Sequence, residues 1–387
     1  MDAKEKTVTV DGHVYDAERF RWVHPGGPLF VSLFGGRDAT LAFQSYHGRP
    51  FPHDKFKEYL LGTTSSSTKP DPDLAELQTK VRKAVGSGRP TPFQRVKATG
   101  LVVLAILVEL SCLYSRTWLK SSFLGLLFAL VGLNVQHDAN HGVMGGGWTQ
   151  GWIGGSQLMW IQEHVVLHHL HTGTEMDPDA QGSPALKIHP EDPWFFFHAL
   201  QHWYLLLLEA GYATVPLFGS FFEAIAWQHK FQRKYQLSEL AKPWRAQSIA
   251  MHLFFYFRML VIPAYQGELR KCLATMAVGG FYLAFFFFLS HNFEGVDFSQ
   301  DSFFKQQVAT SSNVGGSWLC VLNGGLNYQI EHHLFPRVAH SHYPTIAPIV
   351  KQYVTSKNIP YVHFPSVSSN LIAVLSRLKR LGGAIKN

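Results

Sequence analysis

Charge is scarce in this chain. Asp, Glu, Lys and Arg make up 16% of its 387 residues, where a soluble protein usually carries about 25%. Cysteine is scarcer still. Cys112, Cys272 and Cys320 have no CxxC spacing and lie mostly in or beside apolar runs, which argues for free thiols and against a disulfide-stapled scaffold. The first ten residues, MDAKEKTVTV, mix acids and bases and hold no apolar core, so no secretory leader is read there. Insertion is then expected to use an internal span and to leave the N-terminal segment in the cytosol. No Gly-x-Gly-x-x-Gly fingerprint follows a strand, so no nucleotide site is read. No arginine-rich or aromatic-interleaved RNA-binding motif appears either. The net charge of +7 therefore points to Lys and Arg flanking membrane spans, with no nucleic-acid partner.

Apolar and aromatic residues are abundant. Hydrophobic residues make up 46% of the chain, with 30 Phe, 14 Tyr and 10 Trp. Residues 1–62 read as a small soluble α+β domain. Thr7–Val10 and His13–Asp16 look like strands joined by an Asp11-Gly12 turn, and Ala39–Tyr46 has helical character. Residues 63–92 read as a Ser- and Pro-rich linker followed by an amphipathic helix over Leu74–Val85. Residues 93–387 read as an all-α membrane domain. Ala98–Tyr114 and Leu119–Val135 form one apolar hairpin, interrupted by Glu109, and Ala250–Tyr265 and Leu273–Leu289 form another. Each run approaches the roughly 20 residues that cross a bilayer core of about 30 Å. Trp194–Trp227 is apolar but broken by His198, Gln201, His202 and Glu209, which suggests interfacial helices or an imperfect span. Two hairpins would put the N-terminal domain and every histidine cluster on one side. Arg233, Lys234, Lys242, Arg245 and Lys305 fit a cytosolic face there. Arg116, Lys120, Arg270 and Lys271 would lie opposite, against that rule.

Seven histidines fall in three tight clusters: His137-Asp-Ala-Asn-His141, His164-Val-Val-Leu-His168-His169 and Gln329-Ile-Glu-His332-His333. Imidazole is the commonest transition-metal ligand. His137 and His141 are four residues apart, so on a helix they share a face. His164 and His168 repeat that spacing, while His169 would point about 100° away, toward a second metal. His332 and His333 could split in the same way. Seven imidazoles exceed the need of one tetrahedral zinc, so a dinuclear centre is expected. His198, His202, His229 and His252 read as packing histidines. His171, His340 and His342 lie near the clusters without a partner spacing.

These motifs resemble those of membrane fatty acyl desaturases, with boxes HxxxH, HxxxHH and HxxHH. Gln329 at the head of the third box is similar to the front-end branch. That branch carries an N-terminal cytochrome b5 domain, matched here by His24-Pro25-Gly26-Gly27. The resemblance implies a cytochrome b5-like haem domain followed by a four-span membrane domain with a cytosolic helical metal-binding cap. It implies two non-haem irons, held by His137, His141, His164, His168, His169, His332 and His333, with a further histidine matched by His291. Gln329 would bind iron directly, bind through water, or only orient the site. Glu331, Asp138 and Asp177 are candidates to accept an imidazole N–H; Asn140 reads as structural. Haem b would lie between His24 and His47, with His53 as the nearest rival, lined by Phe30, Leu33, Phe34 and Phe43. Two imidazoles leave a haem iron no open position, which suits electron transfer.

The implied activity is insertion of a cis double bond between an existing one and the carboxyl end of a polyunsaturated acyl chain. It uses O2 and NADH-derived electrons, passed by an NADH–cytochrome b5 reductase to the protein's own haem. The substrate would be a fatty acyl lipid or acyl-CoA, and the setting the endoplasmic reticulum membrane, with haem and histidines facing the cytosol. Trp160, Trp194 and Tyr328 are candidates to line an acyl tunnel. A b5-fused hydroxylase and a sphingolipid long-chain-base desaturase would use similar boxes. A histidine-rich metal transporter would place its ligands near the bilayer midplane and leave the b5 motif unexplained, and a plain electron carrier would leave the boxes idle.

Overall fold

The computed structural model describes residues 3–65, 68–180, 184–228 and 237–383. His229, Arg233 and Lys234, and Ser66 and Ser67 of the linker, lie outside the described residues.

The N-terminal unit is a three-stranded antiparallel sheet with short helices. Strand β1 (Thr7–Val10) pairs with β2 (His13–Asp16) through the Asp11-Gly12 hairpin turn, Val10 opposite His13; such a turn matches the strands' twist. Strand β3 (Leu60–Thr63) joins the far side of β2. Nothing in Leu-Leu-Gly-Thr alternates, so the sequence does not announce this strand. Val8, Val10, Tyr15, Leu33 and Phe34 fill the core between the sheet and the helices Pro28–Leu33 and Thr40–His47.

The linker is tied down at Asp71. Its carboxylate caps the amphipathic helix Pro72–Val85 by accepting from the N–H groups of Asp73 and Leu74. It also accepts from Phe304 N at 2.9 Å, while Gln44 brackets its backbone at 2.6 and 2.7 Å. The N-terminal unit, this helix and the C-terminal region are thus joined at one residue. The apolar face of the helix, Leu74, Leu77 and Val81, packs on the helix Tyr343–Ser356.

Four helices are long and apolar enough to cross a membrane: Pro92–Tyr114, Trp118–Asn140, Glu239–Tyr265 and Leu269–Leu289. The irregular apolar region forms a pair, Phe196–Ala210 and Val215–Ala226, bent by 59°. The second span is the central one. Of its apolar stretch 61% is buried, against 22% of the first. A Cβ at Gly125 would meet Thr275 O at 2.3 Å, so only glycine lets the second and fourth spans cross this closely. Glu109, the one acid in the first apolar run, accepts from Arg258 of the third span at 2.9 Å and from Trp152 Nε1 at 2.9 Å. This pairing is how a charge is tolerated at that depth. Arg116, Lys120, Arg270 and Lys271 do gather at the two short connections. There Lys271 donates to Arg116 O, Lys120 to Ser115 O, and Gln266 to Leu113 O. Residues after the fourth span form a helical cap over the opposite end, where the histidine clusters lie.

Candidate metal centre

Helical pitch decides which histidines meet. The second span passes through a π-helical turn, Gly132–Gln136, and then resumes as α-helix over His137–Asn140. His137 and His141 stand one α-turn apart with ring centroids at 4.7 Å. The second box differs from its α-helical expectation. Ile161–His168 is π-helical, and π-helices bond every fifth residue. His169, not His168, therefore stands over His164. The His169 N–H donates to His164 O, and the two Nε2 atoms face each other at 3.2 Å.

Three sets of ligand-type atoms converge: two are made of imidazole nitrogens alone, and a third joins His164 and His168 to the Asp179 carboxylate. The nitrogens of His137, His141, His164 and His332 all lie within 4.8 Å of one another, and so do those of His168, His291 and His333. His332 and His333 split because their rings are turned 82° apart. His169 lies between the groups, its ring centroid 4.6 Å from that of His332 and 4.4 Å from that of His333. The Gln329 amide borders the second group with its NH2 toward the rings, a hydrogen-bond donor at 2.9 Å from His291 Nε2 and 3.3 Å from His333 Nε2; its ligand-type atom is the oxygen.

Most of these rings are held from behind through Nδ1. Tyr46 OH meets His141 at 2.7 Å, and Tyr343 OH meets His332 at 3.2 Å. His168 donates to Asp177 at 3.0 Å, His291 to Thr310 O at 2.9 Å, and His333 to Gln307 Oε1 at 2.8 Å. Such bonds fix ring orientation and aim Nε2 inward. Among the described residues, His141 Nε2, His332 Nε2, both His137 nitrogens and Gln329 Oε1 are buried without a hydrogen-bond partner. Leaving such polar atoms unpaired costs about 1–3 kcal/mol each, and a cation between them would remove that cost. Burial, then the neighbouring imidazoles, push His141, His164, His169, His332 and His333 well below the ordinary histidine range. The rings are thus kept neutral, as metal ligation requires. His168 differs. Burial opposes its charge, but Asp177 and Asp179 outweigh burial and hold it at about 9.

The remaining expectations resolve individually. Glu331 contacts no imidazole; it accepts from Asn313 Nδ2 and Tyr361 OH, each at 2.7 Å. Asp138 pairs chiefly with His340 at 2.8 Å and stands 3.6 Å from His137 Nδ1. Asn140 bonds to Gln150 and Gln157. His342 bonds to Arg89 O, His198 to Pro184 O, and His252 to Ser220 Oγ. His171 and His202 join neither group. Tyr46, Tyr343, Gln307, Thr310 and Asp179 escaped the sequence reading because no spacing rule links them to the boxes.

A cavity of about 320 Å³ reaches the second group and His164 of the first. His164, His168, His291 and Gln329 line its inner end, and Leu205, Phe287 and Phe288 its apolar wall. Trp160 also lines it and packs on His164 at 4.4 Å. Trp194 does not line it; its indole donates to Gly382 O at 2.7 Å. Tyr328 sits in the core beneath the cap.

In the N-terminal unit, His24 and His47 face each other with ring centroids 6.0 Å apart. The Nδ1 of His24 donates to Gly27 O and that of His47 to Phe43 O, both at 3.1 Å, so each Nε2 is free for the gap. Gly27 has φ +86, and a Cβ on Gly26 would meet the His24 ring at 2.8 Å. Both glycines are needed to cradle that ring. Phe43 stacks on His47 at 4.2 Å. His53 is occupied elsewhere, bonded to Tyr15 OH at 2.6 Å. His24 and His47 would hold a haem in this gap, which would supply electron transfer there.

The family model described as fatty acid desaturase matches residues 116–365, and that described as cytochrome b5-like heme/steroid binding domain matches residues 2–65. The chain is 43% identical to the acyl-lipid (7-3)-desaturase of Diacronema lutheri, covering 99% of this chain and 92% of the relative. It is 44% identical to the acyl-lipid (7-3)-desaturase of Rebecca salina, covering 98% and 91%. It is 30% identical to the acyl-lipid (8-3)-desaturase of Physcomitrium patens, covering 96% and 87%. The chain belongs to the fatty acid desaturase family, in its front-end branch with a fused N-terminal cytochrome b5 domain.

Proposed function

We propose that this desaturase is a two-iron acyl-lipid enzyme with the (7-3) regiochemistry of the two relatives near 43–44% identity. His137, His141, His164, His169 and His332 hold one iron. His168, His291 and His333, with Gln329, hold the other. His24 and His47 hold haem b. Residues 1–62 act as the haem domain, 63–92 as linker and amphipathic helix, and 93–387 as the membrane desaturase domain. An NADH–cytochrome b5 reductase loads the haem, and the protein works in the endoplasmic reticulum membrane with haem and histidines toward the cytosol. The observation that supports this most is the division of buried imidazole nitrogens into two convergent groups.

Bound iron would supply the O2 activation and C–H cleavage that no side chain performs alone. The chain's own residues orient and enclose. Asp177 keeps the His168 ring turned inward, Gln307 does so for His333, and Thr310 O for His291. Gln329 offers a neutral amide, a weaker donor than imidazole, at the inner end of the cavity. Phe287 and Phe288 exclude water from the acyl chain and hold it against the second group.

The test is expression in yeast fed a panel of polyunsaturated acids, with fatty-acid methyl esters read by mass spectrometry. The expected product has lost two hydrogens, with the new bond on the carboxyl side of the existing ones, and appears first in the lipid fraction. A product that gains one oxygen instead would make the protein a hydroxylase. Product appearing first in the acyl-CoA pool would overturn the acyl-lipid assignment.

A further inference from the structure

We propose that Tyr46 is the bridge by which electrons pass from the haem domain to the first histidine group; this rests on the haem and two-iron assignments above. Tyr46 is the chain neighbour of His47, whose ring faces His24 across the haem gap. Its hydroxyl crosses to the membrane domain and meets His141 Nδ1 at 2.7 Å, with the two rings nearly parallel at 18° and centroids 6.0 Å apart. The other nitrogen of His141 is buried and without a partner inside the first group. The route therefore runs through covalent bonds from His47 to Tyr46, across one short hydrogen bond, and through the His141 ring. Among the described contacts, the other rings held from behind, His332, His168, His333 and His291, are held by residues of the membrane domain and its cap: Tyr343, Asp177, Gln307 and Thr310. Among the described residues, only His141 is held by the domain that carries His24 and His47.

The surroundings keep this contact in register. A cavity of about 400 Å³ beside Tyr46 and His47 is lined by Arg82, Arg89 and Arg337. Arg337 lies four residues after His333, so the chain that carries the third box also sets a cation beside the haem gap, suited to the carboxylates at a haem edge. Gln44, two residues before Tyr46, is tied to the Asp71 backbone by two hydrogen bonds. A haem held by His24 and His47 would supply one electron per transfer, and Tyr46 would carry it toward the residues of the first group. Tyr46 keeps its proton, and no bond of the side chain breaks. Two such transfers, supplied by the reductase, with two protons from solvent and the two hydrogens given up by the acyl chain, would account for O2 leaving as two waters in each turnover.

The test uses the full-length purified holoprotein and two variants, Tyr46→Phe and Tyr343→Phe. Each loses one hydroxyl from an Nδ1 of the first group, but only Tyr46 joins the haem domain. Haem is reduced anaerobically and mixed with O2 and substrate, and its substrate-dependent reoxidation is followed by stopped-flow absorbance. Y46F is expected to slow reoxidation by about 10-fold or more beyond the slowing in Y343F, which bears only the loss of an outer partner of a metal-bound histidine. Its haem spectrum, iron content and Mössbauer spectrum should match the parent. Reoxidation of Y46F at the parent rate would overturn the bridge. So would an equal slowing in Y343F, which would reduce Tyr46 to a holder of His141. If Y46F fails to retain haem, Tyr46→Trp is measured in its place and judged by the same comparison. The parent protein tests the underlying assignments separately: no non-haem iron, or no substrate-dependent reoxidation, would sink those and not Tyr46 in particular.

Discussion

The two histidine groups are unlike in what stands behind them. The first, His137, His141, His164 and His332, is backed by hydroxyls, Tyr46 and Tyr343, and reaches the haem domain through one of them. The second, His168, His291 and His333, is backed by a carboxylate, an amide and a carbonyl, with the Thr172 hydroxyl also at 3.3 Å from His333. It is bordered by Gln329 and by the apolar cavity. On the proposed reading electrons reach the cluster at His141 and the acyl chain at the cavity, whose lining takes in His164 of the first group as well as His168, His291 and Gln329. An amide in place of an imidazole falls on the substrate flank. That is where a weaker donor leaves the most room for chemistry at a metal.

The contrast can be broken most severely at a residue the first group cannot lose. His332→Ala removes an imidazole that contacts His137, His141 and His169. Product should fall below detection in the yeast assay, while the haem absorbance of the purified variant stays intact because His24 and His47 are untouched. Continued product would remove His332 from the centre. A smaller effect is expected on the other flank. Asp177→Asn keeps the shape beside His168 but exchanges the anionic acceptor for a neutral amide. Desaturation should fall by about 10- to 100-fold, and iron content should drop by up to half as the second group loosens. Loss of both irons together would show that the groups are not separable.

Much of this arrangement is legible in the sequence, and the illegible part has a physical cause. The spans could be read because about 20 apolar residues per crossing is a length requirement. The boxes could be read because few other reasons put so many histidines beside span ends. The pairing could not be read. Residues 161–169 look like any apolar stretch of α-helix, and the π-helical pitch that puts His169 over His164 comes from packing. Glu331 misled for a related reason. Its position between Gln329 and His332 suggested an imidazole partner, yet on a helix it faces away from both, toward Asn313 and Tyr361. Tyr46 and Gln307 lie 95 and 26 residues from the rings they hold, beyond the reach of any local periodicity.

Glu331 allows a finer test, because its helix, Gln329–Leu334, carries members of both groups. Burial pushes its carboxyl from 4.5 up to about 7, although hydrogen bonds from Tyr361 and Asn313 pull the other way. The folded state therefore holds a proton that the unfolded chain has already released. Below pH 4.5 both states are protonated and nothing is lost. As pH rises from there through about 7, the unfolded state binds fewer protons and folding stability declines, by about 3 kcal/mol in all. Glu331→Gln removes this titration. Its amide oxygen can accept from Asn313, and its NH2 can donate to the Tyr361 hydroxyl, so both contacts survive. The variant should melt close to the parent at pH 5 and several degrees above it at pH 8, with iron retained in both groups. A melting difference that does not change between those pH values would mean the carboxylate is already ionised and stabilised where it stands. Iron lost from only one group would mean that the helix does not serve the two as a single strut.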